Sequence, residues 1–188
     1  MTDQITINPR GVAVAALQIA LAYAAAGVHE EGGNNRGDQV EFFQRMMGGS
    51  PGDPWCADFV CTCLVKGYAR AHLLSEDRSA LPGYVRAAEA VLMPLSGSCI
   101  ALAQSAHAHG LLLPPNCAPS AGDLVLFHFR PGLPHHVGFV RSADPSHIFT
   151  VEGNTSSGAA GSQWDGDGVF WRRRPRESVF GFVGWDED

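Results

Sequence analysis

"GDLVLFHFRPGLPHHVGFVRSADPSHIFTVEG", residues 122–153, is where the chain changes its period. Three short runs of β-branched and aromatic residues, "GDLVLFHF", "HHVGFVRS" and "HIFTVEG", are parted by Pro, Gly and Asp, the punctuation of turns between strands. Two more follow, "GVFWRRR" at 168–174 and "VFGFV" at 179–183. Upstream the spacing is helical: "GVAVAALQIALAYAAAG" (11–27), "QVEFFQRMMGG" (39–49), the stretch from Pro54 to about Tyr68, "YVRAAEAVLM" (84–93) and "SCIALAQSAHAHG" (98–110). Helices first and strands after predict an α+β fold, with N-terminal helices packed on a C-terminal antiparallel sheet of about five to six strands.

The 188 residues suit a single domain, 1–188, with a helical segment at 1–28 and a helical insertion at 69–118 before the sheet. A net charge of −6 repels polyanions on average, so no nucleic-acid partner is expected. The one basic run, Arg172-Arg173-Arg174-Pro175-Arg176, follows a strand-like stretch and reads as partly solvent-facing. Segment 11–27 has the length of a membrane span, but it is rich in Ala, has Gln18 at its middle and follows Asp3 and Arg10 rather than a basic cluster. It reads as a buried amphipathic helix, not as a signal peptide or a stable membrane insertion.

Chemistry concentrates in "DPWCADFVCTC", residues 53–63, which holds three of the five cysteines. Asp53 is placed as N-cap and Pro54 as the first helical residue, with a buried stripe through Trp55, Phe59, Cys63 and Val60. Cys56 then lies in the first turn, where a helix N-terminus favours the thiolate. Cys61 and Cys63 lie deeper and point elsewhere, since positions two apart differ by roughly 200° around the axis. Such splayed thiols neither converge on zinc nor reach disulfide geometry. Cys61 and Cys63 therefore read as small apolar residues, as do the isolated Cys99 and Cys117, and Cys56 reads as the reactive one. No cofactor and no metal are expected; the nearest acidic cluster, "WDGDG" at 164–168, reads as a tight turn.

A nucleophilic cysteine needs a base, and the base an orienter. His135 and His136 open a strand, and alternation sends them to opposite faces, so pattern alone leaves the choice between them open. In "FTVEGNTS", Thr150, Glu152 and Asn154 fall on one face of the next strand, placing a carboxylate to accept from a histidine Nδ1–H.

Four blocks, "GDPWCADFV", "SAGDLVLF", "HHVGFV" and "VEGNTS", resemble those of CHAP-domain cysteine amidohydrolases, cell-wall peptidases of the papain-like superfamily. The likeness runs from about Glu30 to Phe182, and its specific parts are the Trp-Cys and Glu-Gly-Asn blocks. It implies a papain-like fold with Cys56 as nucleophile, His136 as base, Glu152 as orienting carboxylate and Asn154 as a polar residue assisting the same histidine. It also implies that the loop "EEGGNN" brings Asn34 or Asn35 to the cleft beside Trp55, Asn35 being a candidate second oxyanion donor. The family's Asp-rich calcium loop has no counterpart here. The function so implied is a peptidoglycan amidohydrolase cutting an amide in or next to the stem peptide. It would be made in the cytoplasm and act at the wall or periplasm after non-Sec delivery, with a holin or an immunity protein as accompanying partner. The alternatives are a cytoplasmic amidase of a glutathione–polyamine type conjugate and a catalytically silent binding module.

Overall fold

The computed structural model describes residues 8–157 and 166–185. Helix α1 (Pro9–Ala25) opens with Pro9 in its first turn and an Asn8 side chain that accepts from the Gly11 N–H at 2.8 Å. It buries Val12, Ala13, Ala16, Leu17, Ile19 and Ala20, so the Ala-rich stretch is a packed helix. Among the described residues no helix is long and apolar enough to cross a membrane. Helix α2 (Asp38–Met46) follows, then α3 (Cys56–Ala71).

Two expectations for α3 are corrected. Asp53 is not its N-cap: the carboxylate accepts instead from the nearer Ser50 N–H at 2.8 Å, closing the Ser-Pro-Gly-Asp turn. Pro54 is likewise outside the helix, which starts at Cys56 with Trp55 in the cap position and no side-chain cap. Nor is burial confined to a stripe. Residues 56–65 are all buried, because α1, α2 and strands β3 and β4 all pack on α3. The backbones of α1 and α3 approach closely at Gly67, where a Cβ would lie 2.5 Å from the Val12 carbonyl oxygen.

The segment from α3 to the sheet holds a 3-10 turn (Leu81–Tyr84), α4 (Val85–Val91) and α5 (Cys99–Ala108). Gly110, at φ +72°, closes α5, with Leu111 N–H on the Ala106 carbonyl at 2.8 Å. This segment is not purely helical as expected: β1 (Leu112–Leu113) pairs with the last strand at one edge of the sheet. The other strands are β2 (Leu124–Phe127), β3 (His136–Ala143), β4 (His147–Thr155), β5 (Gly168–Pro175) and β6 (Val179–Val183). They form one six-stranded antiparallel sheet in the order β1-β6-β2-β3-β4-β5, so the α+β architecture read from the sequence is the one observed.

Alternate residues go to two cores. Leu124, Leu126, Val137, Phe139, Val151 and Val183 join the helices, while Val125, Phe127, Val140, Ile148, Val179 and Phe182 form a smaller cluster. The Gly-Asp pair before β2 ties α1 to this sheet: Asp123 accepts from Arg10 at 2.6 Å and from the Ser120 N–H at 2.7 Å.

Gly67→Ala should therefore overpack the α1–α3 contact and cost about 1–3 kcal/mol in urea unfolding. Gly83→Ala, which meets nothing within 4 Å, should stay within about 0.5 kcal/mol.

Candidate active site

Two helix N-termini converge on one sulfur. Cys56 is the first residue of α3 and Cys99 the first of α5; their Sγ atoms lie 3.7 Å apart. The first intrahelical bond of α3 runs from Phe59 N–H to the Trp55 carbonyl at 2.9 Å, so the N–H groups of Cys56, Ala57 and Asp58 lie ahead of the ladder. The Ala57 N–H also favours the Cys56 thiolate. The Cys99 thiol, opposed by burial and assisted by His136, holds the Cys56 thiol well below its usual range. The same bond, with burial, pushes Cys99 up, and burial pushes Cys61 and Cys63 up as well. The reading of Cys99 as isolated is thus corrected. Its proximity is tertiary, made where α5 docks against the start of α3, and no local spacing encodes it.

His136, the first residue of β3, is 1% exposed, and its charge interacts with that of Cys56. His135 stays half-buried, with its Nε2 accepting from the Phe129 N–H at 3.2 Å. The choice between the two histidines falls on His136. Its Nε2 lies 2.8 Å from Glu152 Oε2, which corrects the expectation that Nδ1 would meet the carboxylate. Gly138 is the reason. A Cβ there would lie 2.6 Å from Glu152 Cγ, so the glutamate side chain crosses the space above the glycine to reach the far end of the ring.

Glu152 is fully buried and takes three partners. Besides His136 it accepts from Thr150 Oγ1 at 2.5 Å, and from Arg174 Nε at 3.0 Å and Nη2 at 2.5 Å. Burial works against its charge, but His136 and Arg174 overcome this and hold the carboxyl at about 2. Burial also opposes a proton on His136, yet Cys56 and Glu152 lift it to about 9. Arg174 is a site residue that sequence reasoning missed. It is 7% exposed, donates to Thr155 Oγ1 at 3.0 Å and lies over the Phe129 ring at 5.1 Å. The basic run is thus not a uniform solvent face: Arg173 is exposed and Arg174 is buried. The available signal was alternation along β5, which sets Arg174 and Arg172 on one face and Arg173 on the other.

Asn154 does not assist the histidine. Its φ of +53° puts it in the left-handed region that Asn tolerates, and the β4–β5 register shifts between Glu152 and Thr155. Alternation therefore breaks, and Asn154 leaves the face of Glu152. Its amide oxygen accepts from the Trp55 N–H at 3.1 Å, while its nitrogen donates to Gly166 O at 3.2 Å and Asn35 Oδ1 at 3.3 Å. Asn35, also left-handed at φ +55°, gives its side-chain nitrogen to the Gly52 carbonyl at 3.1 Å. Its hydrogen bonds brace the loop against the end of β4 rather than face the thiol as an oxyanion donor would. Trp55 is not a cleft wall either. It is 0% exposed, stacks on Phe43 and donates from Nε1 to Glu30 Oε1 at 2.9 Å. Glu30 in turn accepts from the Asn35 N–H at 2.7 Å.

Among the described residues no group of three or more His, Cys, Asp or Glu side chains is arranged to hold a metal ion. Trp164 and Asp165 of the "WDGDG" cluster lie outside the described residues. A thiolate beside an imidazolium, a carboxylate behind it and helix N–H groups in front can perform nucleophilic attack on a carbonyl with proton transfer to the leaving group.

Iodoacetamide at pH 6 should label Cys56 well ahead of Cys61 and Cys63, as read by peptide mass mapping. Glu152→Gln should drop the His136 pKa from about 9 toward its ordinary 6.5, read by NMR titration. By stranding Arg174 it should also cost about 3–5 kcal/mol of stability. The raised His136 contributes stability that is complete below 6.5 and lost as pH rises through about 9. The depressed Glu152 contributes stability present above 4.5 and lost as pH falls through about 2. Urea unfolding of the wild type should therefore be strongest between these limits, and Glu152→Gln should flatten both flanks. Compared with family models, with curated proteins and with solved structures, the chain has no match in any of the three.

Proposed function

We propose that this chain is a papain-like cysteine amidohydrolase of the CHAP kind that its sequence blocks resemble, cleaving an amide in or next to the stem peptide of peptidoglycan. The observation that carries the reading is the buried line from Cys56 through His136 to Glu152 at the start of α3. A structural cysteine has no need of a histidine held protonated beside it.

The Cys56 thiolate adds to the amide carbonyl, and the oxyanion forms within reach of the N–H groups that open α3. His136 gives its proton to the departing amine as the C–N bond breaks, leaving a thioester on Cys56. Water then loses a proton to His136 and adds to the thioester carbonyl. The C–S bond breaks, the carboxylic acid leaves, and thiolate and imidazolium are restored. Glu152, neutralised from behind by Arg174, keeps the ring oriented and its charge supported. Action at the wall or in the periplasm belongs to the same proposal.

Purified sacculi, Gram-negative and Gram-positive, incubated with wild-type protein should lose turbidity and yield fragments whose new ends, read by mass spectrometry, name the bond. Cys56→Ala should release nothing. Release by Cys56→Ala equal to wild type would remove the thiol from the mechanism. No release by wild type from either wall, with turnover of a glutathione–polyamine conjugate, would move the same chemistry to a small substrate.

A further inference from the structure

We propose that the cavity between the α2–α3 turn and the start of α5 is a subsite for an alkylammonium group of the substrate, read by Asp58; this rests on the amide-hydrolase reading above. The cavity holds about 440 Å³ and is lined by Asp53, Pro54, Asp58, Ser96 and Ser98 among others, with no Lys, Arg or His in its wall. That volume accommodates a short carbon chain with a charged end. Pro54 and Asp58 stand two residues either side of Cys56, and Ser98 adjoins Cys99, whose sulfur is 3.7 Å from the nucleophile. The cavity is thus walled by the segments that carry the two cysteines.

Asp58 is the observation that asks for a cation. It is 2% exposed, and its Oδ1 has no hydrogen-bond partner among the described residues. An acid in the first turn of a helix is ordinary, but such an acid is normally solvated. A buried carboxylate without a partner is costly, and so stands in need of a ligand. Burial, then the neighbouring charges of Cys56 and Asp53, raise Asp58 to about 7, the mark of a charge that lacks its counterion. Gly97 packs directly against Oδ1, where a Cβ would lie 2.3 Å away, and Asp58 itself stands in the cavity wall. Two carboxylates and a thiolate repel an anionic group and leave a cation as the complement. Serine hydroxyls at Ser96 and Ser98 supply neutral acceptors for its remaining N–H groups.

The ammonium has two sources in a peptide, a free N-terminus and a diamino-acid side chain. Chemical-shift titration of the intact protein with alaninamide and with Nα-acetyl-lysine amide, each against its fully acetylated counterpart, separates them. The ammonium probe that matches the source should bind about tenfold more tightly than its acetylated form, with the largest shifts at Asp58 and Gly97, and Asp58→Asn should erase the difference. Equal binding of charged and acetylated probes to wild type would overturn the subsite without recourse to any variant, as would no binding at all or unchanged discrimination by Asp58→Asn. Sacculi that resist the wild type while an ammonium probe still binds through Asp58 would uphold the subsite and overturn the hydrolase reading alone.

Discussion

A carboxylate with no access to water must be neutralised by its neighbours, and Glu152 imposes that demand on three strands at once. Thr150 answers from its own strand, Arg174 from β5 and His136 from β3. Slipping β5 by one residue would turn Arg174 to the other face and leave the charge alone. The register of β3, β4 and β5 is therefore bound to the same interaction that prepares the histidine. Stability and reactivity are not separable here, because the arginine that makes the fold tolerate Glu152 is also what keeps Glu152 ionised.

The second constraint is the seating of Trp55. Gly153 lies where a Cβ would come within 2.8 Å of the indole and 2.7 Å of Phe59, so the strand that carries Glu152 rests directly on the helix that carries Cys56. Asn154 then accepts from the Trp55 N–H, and Asn35 braces Asn154. The Glu-Gly-Asn triplet thus divides its work: the glutamate serves the histidine, the glycine admits the tryptophan, and the asparagine holds the backbone from which the nucleophile springs.

Periodicity carried most of the fold, because strands β2 to β6 and the helices are each long or apolar enough to declare their period. It did not carry β1, whose two residues have no period at all and exist as strand only by pairing with β6. Local rules placed the cap of α3 at Asp53, and a nearer N–H outcompeted the helix for that carboxylate. Cys56 was legible from its place at a helix start and Glu152 from alternation along its strand, whereas pattern alone did not choose between His135 and His136. Asn154 leaves the face that alternation gave it because alternation assumes a regular strand and its left-handed backbone interrupts this one. Arg174 and Cys99 were missed for a common reason. Their partners are distant in sequence, and a basic run or a lone thiol looks the same whether solvent or a buried charge lies opposite.

Apart from β1, the border of the sheet among the described residues is β5, eight residues long. Long, flat borders of this kind invite pairing with a second chain and lead toward aggregation. This one is poorly suited to it. Its exposed positions include Trp171 under the Arg141 guanidinium, then Arg173, and the strand ends at Pro175, which has no N–H to offer. Its opening residues are already engaged, since Val169 N–H bonds the Val28 carbonyl at 2.9 Å and His29 bridges Gly168. Trp171, Arg173 and Pro175 thus make this border a poor template for a second chain.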